Sequence, residues 1–216
     1  MRTPLILLAA LTIGLPAAAQ DHAGHGADAE HAGHHEGGVF PEGWSARTDR
    51  DQPVDEVMFM TMGDGYHAIT GPAAVLYNPE WAQSGDYSVS ARFTQTTAPE
   101  HPEAYGIIIG GTDLDGADQA YTYFLVRKTG EYFIATRRGA EREIVVPWTA
   151  HDAVVAQDDD GGQVNTLGAS VEGDEVVFTA NGQEVARLPK GDVVGDGVFG
   201  FRINHRLDVH IDQVER

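Results

Sequence analysis

The chain has 216 residues, with 33 acidic against 14 basic side chains, ten histidines and no cysteine. A formal net charge of -19 repels phosphate backbones and anionic lipid heads, which argues against nucleic acid or a membrane surface as partner and favours neutral glycans or cations. Without cysteine there is neither a disulfide framework nor a lipid-bearing N-terminal Cys, so a hydrophobic core alone must hold the fold, and a chain of this length can supply one.

Residues 1–19 read as a leader. "MRTPLILLAALTIGLPAAAQ" sets Arg2 ahead of an apolar run from Leu5 to Leu15 and then Ala17-Ala18-Ala19, the positive start, short apolar run and small-residue cleavage site of a secretory signal peptide. The run is shorter than the roughly twenty residues needed to span a bilayer. The expectation is a periplasmic or secreted protein with no membrane attachment once the signal is removed. The mature chain then carries 13 basic against 33 acidic residues, because Arg2 leaves with the leader.

Residues 20–41 form a His-rich tail that is expected to be disordered. "DHAGHGADAEHAGHHEGG" contains His22, His25, His31, His34 and His35 among Gly, Ala, Asp and Glu, with no large apolar residue to build a core. Clustered imidazoles on flexible spacers converge on copper or zinc, yet an ordered site also needs partners that fix each ring. Two readings therefore stand: weak, exchangeable metal binding, or a solvated leash.

From residue 42 to 216 the apolar residues alternate. In "YSVSARFTQ", Tyr87, Val89, Ala91 and Phe93 share one parity, the mark of a half-buried strand. Similar runs begin at Tyr105, Tyr121, Glu131, Arg142, Asn165, Glu175, Gln183, Gly197 and Leu207, with turn residues between them at the spacing of an all-β sandwich or barrel. "NPEWAQSG" from Asn78 has room for one helical turn. "TANGQE" puts Asn181-Gly182 between two strand patterns and predicts a type I′ hairpin; "RKTGEY" predicts a looser one at Gly130. Gly195, Gly197 and Gly200 spell G-x-G-x-x-G but lead into a strand, which reads as a turn rather than a dinucleotide site.

Three constellations bear on function. "GTDLDGADQ" brings Asp113, Asp115 and Asp118 into one loop, hard oxygen ligands suited to calcium, although the string is not an EF-hand. His205, Asp208, His210 and Asp212 are the densest acid, base and ligand types of the body, but their parity does not put all four on one face. In "YTYFLVR" and "GFRINH", Phe124, Val126, Phe201 and Ile203 fit a core face. Tyr123, Arg127, Arg202 and Asn204 then project from a sheet surface as stacking and hydrogen-bonding groups for a sugar, with Trp148 and His67 able to join them. Ordinary cross-strand packing is the alternative account of the same residues.

With about a dozen strands, Trp44 near the start, the "GDGYHAITGP" strand pair, the "NGQEV" hairpin and the closing "GVFGFRINHRLDVHIDQVE", the body resembles the concanavalin A-like jelly roll, an all-β antiparallel sandwich. That superfamily includes laminin G-like modules, lectins, glucanases and the 3-keto-disaccharide hydrolase type domain of secreted bacterial proteins. Its glucanases usually carry E-x-D-x-x-E on one strand; here Glu172-Gly173-Asp174 runs on to Val177 where the second Glu would stand, so no catalytic residue is implied. The functional expectation is recognition of a glycan or related polyhydroxy ligand. The alternatives are a glycoside-cleaving enzyme, hydrolase or lyase, of the 3-keto-disaccharide type, and a periplasmic metal buffer.

Overall fold

The structure, a computed structural model, describes residues 40–49, 52–158 and 160–216. Its strands in chain order are β1 (Ser45–Thr48), β2 (Val57–Met62), β3 (Gly65–Thr70), β4 (Ala74–Gln83), β5 (Tyr87–Gln95), β6 (Ala104–Thr112), β7 (Ala120–Arg127), β8 (Glu131–Arg138), β9 (Glu141–Ala150), β10 (Gln163–Glu172), β11 (Glu175–Ala180), β12 (Gln183–Pro189), β13 (Gly197–Ile203) and β14 (Asp208–Glu215). Among the described residues the helical content is two single 3-10 turns, Val54–Glu56 and Lys190–Asp192.

The strands form two antiparallel seven-stranded sheets. The first runs β1-β4-β13-β6-β7-β8-β9 and the second β12-β11-β10-β5-β14-β3-β2. Alternation dictates the packing: Tyr105, Ile107 and Ile109 of β6, Phe124 and Val126 of β7, and Phe201 and Ile203 of β13 point inward to meet Phe93, Leu167, Phe178, Val209 and Ile211 of the second sheet. Trp44 is buried at one end of this core, 4.8 Å from Phe59 and 4.6 Å from Trp81 between ring centroids. Phe40, two residues ahead of the expected domain start, packs against the same core.

The hairpin turns follow their sequence chemistry. Asn181 (φ 50°) and Gly182 (φ 79°) both adopt the positive φ of a type I′ turn, joining β11 to β12 with Ala180 opposite Gln183. Asn181 does more than turn the chain. Its Nδ2 donates to the Ala153 carbonyl (2.7 Å) and to Asn165 Oδ1 (2.8 Å), while its Oδ1 accepts from the Thr166 N–H (2.9 Å). Gly197 opens β13, so the G-x-G-x-x-G string enters a strand as expected.

One expectation fails. "NPEWAQSG" forms no helical turn; it lies mostly in the ten-residue strand β4. Between Tyr77, opposite Gly200, and Ala82, opposite Val198, the register skips, and Pro79 sits in that irregularity, where its missing N–H breaks no ladder bond.

Candidate functional site

The outer face of the first sheet carries a second apolar layer. Tyr77 of β4, Ile108 of β6, Tyr121, Tyr123 and Leu125 of β7, and Phe133 of β8 are each at most 8% exposed, although no further sheet among the described residues covers them. They occupy the parity opposite to the core residues of the same strands. Gly200 keeps this floor low: a Cβ there would stand 3.3 Å from Tyr77 and 3.4 Å from Ile108.

Over β7, β8 and β9 the aromatics form a chain. Tyr121 lies 5.8 Å from Tyr123, Tyr123 is 6.0 Å from Phe133, and Phe133 is 5.0 Å from Trp148. A depression of about 440 Å³ opens above the Trp148 end, and Tyr123, Arg127, Trp148, Arg202 and Asn204 all line it. The depression thus gathers five of the six expected ligand-binding residues, the four selected by strand parity together with Trp148. Trp148 belongs to this outer layer and not to the inter-sheet core. His67 is the exception. Its strand β3 pairs with β2 and β14 in the second sheet, so it faces outward on the other side of the sandwich.

Each arginine here has a definable state. The Arg127 guanidinium lies 4.3 Å over the Trp148 ring and pairs with Glu131 at 2.7 Å. Arg202 grips Asp49 with two parallel hydrogen bonds, and its Nε donates to Asn204 Oδ1 at 3.3 Å. Burial alone would raise the Asp49 pKa; the hydrogen bond and charge of Arg202 outweigh it and hold the carboxyl below its ordinary value. Arg142 also lines the depression and stands directly opposite Arg137 on β8. Among the described residues neither Arg137 nor Arg142 has a carboxylate within 4.0 Å. Burial raises the pKa of Tyr121 and of Tyr123, so both remain neutral phenols that donate and accept hydrogen bonds.

Sequence reasoning did not single out Arg137, Arg142 or Phe133. The usable signal was the parity of "EYFIATRR", which puts Phe133 and Arg137 on one face; the register that sets Arg142 opposite Arg137 is non-local. The formal net charge of the chain is -19, yet this face collects Arg47, Arg127, Arg137, Arg142 and Arg202 out of 14 basic residues in the chain.

The calcium loop does not assemble. Asp113, Asp115 and Asp118 form no three-ligand group; Asp113 instead accepts the Asp118 N–H at 2.9 Å, and the Arg47 guanidinium donates to the loop carbonyls of Leu114 (3.1 Å) and Gly116 (2.6 Å). A cationic side chain thereby uses oxygens that a metal would need. His22, His25, His31, His34 and His35 lie outside the described residues. On the second sheet, Asp208, His210 and Asp212 share the outer parity of β14 while His205 lies in the preceding turn; Asp212 pairs with Arg92 at 3.7 Å, and Asp208 and His210 meet His67.

No family model and no curated relative matches the chain. Solved structures do. The carbohydrate-binding module CBM66 from Bacillus subtilis superposes with a TM-score of 0.58 at 11% identity, over 80% of this chain and 93% of that one. The fold is the concanavalin A-like jelly roll. A family 16 endo-glucanase from Bacteroides ovatus (TM-score 0.56, 9% identity, 82% of this chain and 96% of that one) and the β-glucanase of Bacillus licheniformis (0.54, 10%, 84% and 96%) share this jelly roll. At such identities the likeness fixes the fold and leaves the work of the site to its own residues.

Proposed function

We propose that the outer face of the first sheet binds an anionic saccharide, a uronate-bearing glycan, in the periplasm or outside the cell. The observation that carries this reading is the Arg137–Arg142 pair. Like charges directly opposite each other on adjacent strands destabilise a sheet, and among the described residues neither has a carboxylate within 4.0 Å; Asp49, which feels the charge of Arg137, is already gripped by Arg202. A ligand carboxylate between them would remove the repulsion and accept charge-assisted hydrogen bonds. Beside them Trp148 and Phe133 line the depression as apolar surface for a pyranose, while the Tyr123 hydroxyl and the Asn204 amide supply donors and acceptors for sugar hydroxyls. Structural neighbours named as a carbohydrate-binding module and as glucanases agree with a saccharide ligand in general.

Recognition is favoured over glycoside hydrolysis by the lining itself. Hydrolysis needs two carboxyl groups flanking the bond. Among the described residues lining the depression there is none, and the carboxylates paired with its arginines, Asp49 and Glu131, are held by Arg202 and Arg127. Tyr123, kept protonated by burial, suits hydrogen-bond donation better than proton abstraction, which speaks against a lyase base.

The test is calorimetric titration of the mature protein with an oligouronate and with its carboxyl-reduced, neutral counterpart. Arg142→Gln is expected to weaken oligouronate binding by about tenfold or more, the value of one charge-assisted hydrogen bond, and to leave the neutral sugar little affected. Trp148→Ala should weaken both. An oligouronate affinity unchanged by Arg142→Gln would overturn the anionic reading.

A further inference from the structure

On the far side of the sandwich, the outer face of the second sheet carries a cluster that the glycan reading does not use. His67 of β3 and His210 of β14 are directly opposed cross-strand partners, their rings stacked 4.4 Å apart at 21°. His67 Nε2 lies 2.9 Å from Asp208 Oδ1. One donor atom from each of His67, Asp208 and His210 falls within 4.8 Å of the other two.

The cross-strand neighbour on the other side of His67 carries a thioether. Strand β2 alternates Val57 and Phe59 into the core with Met58 and Met60 toward the outer face; Met60 is the cross-strand partner of His67, and Met62, the next residue of that parity, is 47% exposed at the strand end. Three of the chain's four methionines are therefore placed along the edge strand beside this histidine pair. Met60 is half-buried, and its register position puts a thioether beside His67. Next to two imidazoles and a carboxylate it completes a mixed nitrogen, oxygen and sulfur donor set.

We propose that His67, His210 and Asp208, with the Met60 thioether beside them, form a copper-binding site. Imidazole and carboxylate together suit Cu(II), which tops the affinity order of the divalent first-row ions, and thioether selects Cu(I) over zinc. The present spacing needs little adjustment. Bonds of about 2 Å put donor atoms roughly 3–3.5 Å apart around an ion. The His67–Asp208 contact is already that close, and side-chain rotation brings in His210 without moving the paired backbones. Asp208 is steered from behind: the Thr96 hydroxyl donates to its Oδ1 at 2.9 Å, the kind of outer contact that orients a ligating carboxylate. The side chains of His67 and Asp208 are 17% and 33% exposed, so an ion has access from solvent.

The test uses the full mature chain with His22, His25, His31, His34 and His35 replaced by Ala, so that only the sheet can hold the ion tightly. Chelator competition should then show one copper ion per chain, and Cu(II) electron paramagnetic resonance should show coupling to two imidazole nitrogens. Adding His67→Gln and His210→Gln should weaken copper binding more than tenfold and abolish that coupling while circular dichroism stays unchanged. Met60→Leu should weaken Cu(I) more than Cu(II). Should the double histidine variant fail to fold, Asp208→Asn, which keeps an acceptor for Thr96, is expected to weaken binding in its place. The proposal is overturned if the tail-substituted chain binds no copper, if its spectrum lacks the two-nitrogen coupling, or if the sheet variants bind as tightly as their parent; the cluster is then an ordinary stacked His–Asp pair.

Discussion

Asp49→Ala is expected to destabilise the protein more than Arg202→Met, although each breaks the same ion pair. The Arg202 side chain is 12% exposed and that of Asp49 is 41% exposed. With Arg202 gone, the Asp49 carboxylate turns to water, and the loss is that of a half-screened, charge-assisted pair, about 2 kcal/mol. With Asp49 gone, a guanidinium is stranded in the floor of the sheet with Asn204 Oδ1 at 3.3 Å as its remaining side-chain acceptor. The cost is then about 3–4 kcal/mol, the range for an uncompensated buried charge. Urea unfolding at pH 7 compares the two variants directly. Acid unfolding gives a second reading. Because the folded pKa of Asp49 is depressed, its contribution is fully present above the unfolded value of about 3.9 and is lost as pH falls through the folded pKa. Wild-type protein should therefore lose stability below about pH 4 more steeply than Arg202→Met. Equal costs for the two substitutions, or identical acid limbs, would refute the reasoning.

Other expectations concern the hairpin, the fold and the tail. Gly182→Val should cost about 1–3 kcal/mol by thermal or urea unfolding, from backbone strain alone, since φ is 79° and no atom lies within 4 Å of an added Cβ; an unchanged midpoint would contradict the type I′ turn. Circular dichroism of the mature chain should be β-dominated with under about a tenth helix, and a helix-rich spectrum would contradict the sandwich. Replacing the five tail histidines by Ala should remove the exchangeable part of zinc or copper binding without changing the metal-free melting temperature. That exchangeable binding should weaken between about pH 7 and pH 5, as protons compete for imidazoles of reference pKa about 6.5; binding equal to that of the parent chain would leave the tail as a leash.

What the sequence disclosed was local. Period-two alternation sorts Phe124 and Val126 from Tyr123 and Arg127, and Asn181-Gly182 names its own turn, because both signals are confined to a few neighbouring residues. What it withheld was pairing. Nothing local to "GYHAIT" says that β3 joins β14 and not the sheet of Tyr123, so the sequence leaves His67 free to join either face. Nor does "EREIVVPW" reveal that Arg142 will stand opposite Arg137, the juxtaposition on which the anionic reading rests. The strand across "NPEWAQSG" is not legible either, because a proline in a long strand is tolerated where the ladder is broken, and that break is visible only in the register against β13.

The central claim is the location and charge preference of the ligand site, and amide chemical-shift mapping tests both at once. Titrating the isotopically labelled mature protein with an oligouronate is predicted to perturb amides of β7, β8, β9 and β13 around Tyr123, Arg137, Arg142 and Arg202, and to leave those of β3 and β14 in place. The neutral, carboxyl-reduced sugar should need about ten times the concentration for the same shifts. Perturbations confined to the second sheet or the loop ends, or equal concentrations for the two sugars, would contradict the account.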